Sequence, residues 1–171
     1  MLAFCLFFFI AEISRSWRCP APPGAMNLLN WSCQGLGNLW TIEALWCLVC
    51  NEDPKIVFLC ETRCSKSVME SVCLKLGFRQ CIVVESNDAS GGLCLMWIDE
   101  LAVSLRYASN NHIDTEVEVL GVQRRWRFTG FYGCPDTVEC YHSWDLLIRL
   151  GATNLLPWLC CGDFSKILTA E

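Results

Sequence analysis

The chain has 171 residues, of which 53% are apolar and 18% are charged, and its formal net charge is −5. This composition argues against an intrinsically disordered chain, and the length suits one domain with its own core. An acidic chain is not expected to hold nucleic acid through a broad basic surface. An enzyme that grips a phosphodiester through a metal is compatible with this charge, because the cation supplies the positive charge locally.

The first 25 residues differ in character from the rest. Residues 1–10 are almost entirely apolar, but no basic residue precedes them and Glu12 follows closely. A secretory signal would carry that basic residue, and the apolar run is too short to cross a bilayer as a helix. Residues 19–24 are rich in proline, which is typical of a linker. We therefore expect residues 1–25 to be an extension outside the domain and residues 26–171 to form a partial domain, with a signal peptide as the alternative.

From residue 26 onward, strand-like and helix-like segments follow one another. Period-two alternation and β-branched runs predict strands at 27–32, 55–60, 81–85, 92–98, 103–108, 113–120, 125–132 and 155–161. Helical spacing of apolar residues predicts helices at about 40–50, 67–76 and 138–150. This order predicts an α+β fold with a mostly antiparallel middle.

Two local patterns make specific predictions within this outline. Ser67, with Glu70 three residues later, predicts a capping box at the start of the second helix. The basic run at 124–127 suggests nucleic-acid contact, but strand alternation places Arg125 and Arg127 on the face opposite Trp126. We expect that face to be solvated.

The chain has 14 cysteines, and three interpretations are open. Most of them lie inside apolar runs, where a free cysteine packs as a small hydrophobic residue. In a small secreted protein the count would instead indicate a disulfide framework. Cys47 and Cys50 form a CxxC pair and, with Cys60 and Cys64, weakly suggest zinc, but a helix, a strand end and a loop would not bring four thiols together. We favour packing in the core.

Two carboxylates follow apolar strands. Glu61 comes directly after the run 56–60, and Asp163 follows the run 158–161 after one glycine. A buried strand that ends in a carboxylate presents a hard oxygen ligand for a divalent cation. Taken singly, each residue is better explained as a solvent-facing acid at a strand end. We expect both carboxylates to meet at one rim of the fold.

Five short motifs occur in an order and at distances that match those of a known protein superfamily. They are Asn30–Gly37, Glu61-Thr62, Ser90–Leu93, Phe128–Gly133 and Gly162–Phe164. Together they resemble the endonuclease/exonuclease/phosphatase superfamily of DNase-like and abasic-site endonuclease-like proteins, and most closely the endonuclease domains of plant long-interspersed-element (non-LTR) retrotransposons. The resemblance implies a DNase-like four-layer α/β sandwich, in which two β-sheets lie face to face and are flanked by helices, with only its N-terminal part present.

The resemblance also implies a chemistry and residue roles. Superfamily members hydrolyse phosphodiesters with Mg²⁺ or Mn²⁺, and DNA is the partner of the intact retrotransposon domain. Glu61 would ligate the metal, Asp163 would ligate it and orient the attacking water, and Tyr132 would contact the phosphate. Ser32 and Ser165 stand where the family has asparagines. A hydroxyl reaches less far than an amide, and losing one preorganised donor costs about 100- to 1000-fold in rate.

The family's later motifs, which supply another aspartate and an Asp-His pair, lie beyond Glu171, and neither His112 nor His142 is placed to replace them. We therefore expect weak or absent metal binding and a truncated endonuclease that is inactive as written. We expect no membrane partner, a nuclear or cytoplasmic rather than secreted location, and an uncovered sheet face that could support self-association. The alternatives are a noncatalytic interaction fragment or pseudogene product, and a secreted cysteine-rich binding protein.

Overall fold

The computed structural model describes residues 26–86, 91–122, 124–133, 140–152 and 155–164, so residues 1–25 lie outside it. Within these residues the strands and helices follow the predicted order, and their bounds differ from the prediction by at most three residues. The strands are β1 (Leu28–Ser32), β2 (Ile56–Cys60), β3 (Gln80–Val84), β4 (Leu93–Trp97), β5 (Leu101–Ser109), β6 (His112–Val119), β7 (Arg125–Tyr132) and β8 (Trp158–Asp163). The helices are α1 (Leu39–Glu52), α2 (Lys66–Lys75) and α3 (Cys140–Ala152). None of these helices is long and apolar enough to cross a membrane.

The strands form two four-stranded sheets, with orders β1-β2-β4-β3 and β5-β6-β7-β8. The pairs β1–β2 and β7–β8 are parallel, and the other neighbours are antiparallel. The predicted antiparallel middle is confirmed. The parallel pairs matter for the site, because the two strands of each pair end at the same edge of their sheet.

Three hydrophobic layers hold the fold together. The inner faces of the two sheets pack on each other, with Phe58 from the first sheet edge-to-face on Phe128 from the second. Helices α1 and α2 cover the outer face of the first sheet through residues such as Leu45 and Met69. Helix α3 covers the outer face of the second sheet through Leu147. The chain therefore has the helix–sheet–sheet–helix arrangement expected from the resemblance.

The start of α2 differs from the prediction. Its N-cap is Ser65, whose side chain makes no capping hydrogen bond, and Ser67 lies within the first turn. The backbone N–H of Lys66 instead donates to Oε1 of Glu85 at 2.8 Å. The predicted capping box is wrong because α2 begins at Lys66, one residue before the proposed cap Ser67, and its first N–H is bound by Glu85, just after β3.

Arg127 contradicts the prediction of a solvated face. It is 1% exposed, and its Nε and Nη2 donate to the two carboxylate oxygens of Asp114 at 2.7 and 2.9 Å. Its Nη1 donates to the backbone carbonyl of Leu150 in α3 at 2.6 Å, and its guanidinium lies 5.3 Å from the centre of the Trp158 ring. Alternation gave the correct face, but α3 covers that face at this point. Arg125, nearer the strand start, is exposed as predicted.

The ten cysteines whose side chains the structure describes are all free, and seven of them are buried. This agrees with the interpretation of cysteine as a core residue. Cys47 and Cys50 lie exposed on α1, whereas Cys60 and Cys64 are buried at and after the end of β2. In the described part of the chain, no group of three or more His, Cys, Asp or Glu side chains is placed to hold a metal ion.

Candidate active site

Four strand ends meet at one rim of the sandwich. Asn30 on β1 donates its Nδ2 to the carbonyl of Gly162 on β8 at 3.3 Å, and β2 also packs against β8. The parallel pairs β1–β2 and β7–β8 therefore end side by side. The candidate residues at or directly after these ends are Ser32, Glu61, Tyr132 and Asp163.

The backbone at Glu61 is held in an uncommon conformation. Its φ is 56°, in the left-handed region that residues other than glycine adopt at a cost. Its carbonyl accepts from the N–H of Gly35 at 2.7 Å, and the next N–H, of Thr62, donates to the carbonyl of Gly92 at 3.1 Å. Gly92 has a φ of 88°, and a Cβ there would overlap the Thr62 hydroxyl. Strained residues that their surroundings fix in this way cluster at functional sites.

The Glu61 carboxylate has a partner on each oxygen. The Tyr132 hydroxyl donates to Oε1 at 2.7 Å, and Nη2 of Arg63 donates to Oε2 at 3.4 Å. The Glu61 side chain is 20% exposed and that of Arg63 is 44% exposed, so this ion pair lies at the mouth of the site. The sequence motifs pointed to Tyr132 but not to Arg63. The only available signal for Arg63 was its place two residues after Glu61.

Tyr132 and Asp163 are neighbours across the parallel pair β7–β8. The N–H of Gly133 donates to the carbonyl of Asp163 at 3.0 Å and extends this pairing past the strand ends. Burial, followed by the hydrogen bond to Glu61 and the nearby negative charges, raises the pKa of Tyr132 well above its usual value of 10.0. The phenol therefore stays protonated at neutral pH and acts as a hydrogen-bond donor.

Cys60, at the end of β2, is a buried thiol whose pKa responds to both carboxylates. Burial raises the pKa of its thiol from 9.0 to about 12, and the charges of Asp163 and Glu61 raise it further, whereas a hydrogen bond with Ser32 lowers it. Ser32 is the register partner of Cys60 across β1–β2, and Glu61 is the next residue along the chain. The fourth proposed rim residue, Tyr132, contacts Glu61 directly. Ser165 lies outside the described residues.

The two histidines do not join this group. His112 begins β6 and pairs with Phe131, which packs on the outer face of the second sheet, so it faces away from Tyr132. Its Nδ1 lies 2.8 Å from the Ser109 hydroxyl. His142 lies on α3, and its side chain is outside the described residues.

The residues at the rim fit a weakly held hard cation. Glu61 and Asp163 offer carboxylate oxygens, and magnesium is commonly bound by one or two carboxylates with water and substrate phosphate completing its shell. Asn30 adds a buried Oδ1 that has no hydrogen-bond partner among the described residues. Arg63 opposes cation binding, because its guanidinium already places a positive charge beside the Glu61 carboxylate.

No protein-family model and no curated protein matches the chain. Solved structures do match. The human Nocturnin catalytic domain with bound sulfate is 22% identical, with a TM-score of 0.56, covering 81% of this chain and 63% of that one. The endonuclease domain of TRAS1, a telomere-specific non-LTR retrotransposon, is 19% identical, with a TM-score of 0.55 and coverages of 81% and 59%. The 3′ phosphatase NExo from Neisseria, bound to a product DNA hairpin, is 14% identical, with a TM-score of 0.57 and coverages of 82% and 58%.

This chain therefore spans about three fifths of the length of those structures. At such identities the likeness establishes the fold and leaves the activity open. It agrees with the two face-to-face sheets, the flanking helices and the strand ends gathered at one rim. The chain has the DNase-like α+β sandwich fold of the endonuclease/exonuclease/phosphatase proteins.

Proposed function

We propose that the chain carries part of a metal-dependent phosphodiesterase site, that it derives from the endonuclease domain of a plant-type long-interspersed-element retrotransposon, and that DNA is its substrate class. The observation that carries this proposal is the 2.7 Å hydrogen bond from Tyr132 to Glu61, which joins the two sheets beside Asp163. The ordered motifs and the likeness to the TRAS1 endonuclease domain and to DNA-bound NExo support the substrate class.

In this proposal Glu61 and Asp163 hold Mg²⁺ or Mn²⁺, which when bound supplies positive charge to phosphodiester oxygens. The protein's own side chains bind the phosphodiester and orient the attacking water. The Tyr132 hydroxyl has one proton, so it must release Glu61 in order to donate to a phosphate oxygen. That exchange would leave Oε1 of Glu61 without its hydrogen bond, and this oxygen is one of those that would hold the cation. Asp163 accepts a hydrogen bond from the attacking water and so orients it.

We propose further that the chain hydrolyses DNA at no more than a background rate. Ser32 contributes a short hydroxyl in place of an amide, and Ser165 makes the same replacement in the sequence. Each loss of a preorganised donor to the charge that develops on the phosphate costs about 100- to 1000-fold. Two such losses in one site leave little measurable activity.

The test is nicking of supercoiled plasmid by the full chain with Mg²⁺ or Mn²⁺. The unchanged chain is expected to match Glu61→Ala, and the double variant Ser32→Asn/Ser165→Asn is expected to nick at least tenfold faster. Adding Glu61→Ala to the double variant should abolish the gain, whereas Glu43→Ala, an exposed acid on α1, should leave it intact. The proposal is wrong if the double variant gains nothing, or if its nicking survives Glu61→Ala.

A further inference from the structure

Three thiols meet on the outer face of the first sheet, away from the rim that carries Glu61. They belong to Cys73 on α2, Cys81 on β3 and Cys94 on β4. The Sγ atoms of Cys73 and Cys94 are 3.7 Å apart, and Cys81 packs against the hydrophobic cluster that contains both. We call these residues the thiol cluster. Nothing in the proposed phosphodiesterase chemistry uses it.

The members of the thiol cluster differ in their access to solvent. Cys73 is 1% exposed and Cys94 is fully buried, so α2 and the sheet shield both sulfurs. Cys81 is only half-buried, and β3, which carries it, is the edge strand of the first sheet in the described fold. A small oxidant from solvent therefore meets Cys81 first, and the two covered thiols belong to the same packed cluster.

The pKa values of the thiols in the cluster also differ between the accessible Cys81 and the covered Cys73. Hydrogen bonds from Cys73 and Cys94, together with the positive charge of Lys66, lower the pKa of the Cys81 thiol below its usual value. The pKa of the Cys73 thiol is raised to about 12, chiefly because this thiol donates a hydrogen bond to Cys81. The thiolate is the reactive form of cysteine. Cys81 is therefore suited to act as the nucleophile toward an oxidant, whereas the Cys73 thiol stays protonated.

We propose that the thiol cluster is a modification site for hydroperoxides, at which Cys81 is oxidised and Cys73 then closes a disulfide with it. In the first step the Cys81 thiolate attacks one peroxide oxygen, the O–O bond breaks, and the departing alkoxide or hydroxide takes a proton, leaving Cys81 as a sulfenic acid. In the second step the Cys73 sulfur attacks the Cys81 sulfur, the S–O bond breaks, and water leaves with the Cys73 proton. Two electrons pass from the thiols to one peroxide.

The disulfide would tie α2 to the edge of the sheet. Residues 61–65, which connect Glu61 to α2, lead directly into this helix, so the cross-link would fix one end of the segment that carries the rim carboxylate. The proposal itself does not depend on the phosphodiesterase site, because it concerns the chemistry of three thiols on a different face.

The test treats the full chain with one equivalent of hydrogen peroxide, traps sulfenic acids with dimedone, and maps the products by mass spectrometry. Cleavage after Lys75, Arg79 and Glu85 separates the three cluster cysteines into different peptides. Cys47 and Cys50 serve as internal controls, since both are exposed on α1. If exposure alone governed oxidation, they would react before Cys81.

We expect the main product to be a Cys73–Cys81 disulfide, formed at least tenfold faster than any product at Cys47 or Cys50. In Cys73→Ala the dimedone adduct should accumulate on Cys81, and in Cys81→Ser, a substitution at a half-buried edge position, Cys73 should stay reduced. Oxidation of Cys47 or Cys50 as fast as that of Cys81 would overturn the proposal, as would a main disulfide that lacks Cys81. Because the controls lie in the unchanged chain, the result stands even if a variant does not fold.

Discussion

Glu61 divides its carboxylate between a neutral donor and a charged one. Tyr132 satisfies one oxygen without changing the local charge, whereas Arg63 brings a full positive charge within 3.4 Å of the other. A divalent cation that binds Glu61 must share this space with the guanidinium. Arg63 is 44% exposed, so solvent screens the repulsion and its effect is modest.

Replacing Arg63 by Gln should therefore raise the affinity of the chain for Mn²⁺ by roughly two- to fivefold, which corresponds to the usual energy of an exposed ion pair. Titration of free Mn²⁺ by electron paramagnetic resonance measures this without any substrate. Arg79→Gln is the matched control, since Arg79 forms an exposed ion pair with Asp99 at the other end of the first sheet. An affinity that stays the same or falls in Arg63→Gln would refute this account of the site.

The sequence identified some of these residues and missed others for a physical reason. Glu61 and Asp163 could be found because each follows an apolar strand, a pattern that is local in the chain. Arg63 and Asn30 could not be found in this way. Arg63 reaches Glu61 through a loop in which both residues have positive φ, and Asn30 depends on a contact between two sheets whose packing no local pattern encodes.

The same distinction holds for the elements. Alternation along β7 gave the correct face for Arg127, because side chains in a strand point to opposite faces in turn. It gave no information about α3, which comes later in the chain and covers that face. A buried ion pair needs both partners, since removing one leaves an uncompensated charge in the interior. Arg127 and Asp114 therefore join β6, β7 and α3 as one unit.

Arg127→Met should destabilise the fold by about 3–5 kcal/mol, because the buried Asp114 then loses its bidentate partner and keeps only the Thr129 hydroxyl and the more distant Arg106, at 3.6 Å. The double variant Arg127→Met/Asp114→Leu should recover a large part of this loss. Urea unfolding of the two single variants and the double variant gives the coupling between the residues. Arg125 lies on the same strand as Arg127 and forms an exposed ion pair with Glu118 on β6. Breaking that pair in Arg125→Gln should cost less than about 1 kcal/mol. If the double variant were no more stable than Arg127→Met, the buried charge would not be the cause.

At the scale of the molecule, the order of elements predicted an α+β fold and the resemblance implied its layers. The cysteines show how the hydrophobic cores between these layers are filled. Cys33 packs with the helices on the first sheet, Cys60 lies between the sheets, and Cys160 lies under α3. Burial is the main cause that raises the pKa of each of these three thiols from 9.0 to about 12. The apolar neighbours of these cysteines in the sequence predicted that they are buried. They did not predict that each of the three hydrophobic layers contains a buried cysteine.

This distribution gives the fold a particular sensitivity to alkali. Above about pH 9 the unfolded chain releases thiol protons that the folded chain keeps, so the free energy of unfolding falls as pH rises toward the folded pKa. Each buried thiol contributes up to about 1.4 kcal/mol per pH unit over that window. Between about pH 9 and about pH 10.5, Cys160→Ala should therefore lose about 2 kcal/mol less stability than the unchanged chain.

Urea unfolding under reducing conditions, at about pH 7.5, about pH 9 and about pH 10.5, measures this difference in slope apart from any cavity cost, which is the same at each pH. Cys47→Ala removes an exposed thiol from α1 and should leave the slope unchanged. Parallel curves for Cys160→Ala and the unchanged chain would mean that Cys160 is ionised as easily in the folded state as in the unfolded one. Burial beneath α3 would then not be what governs its proton.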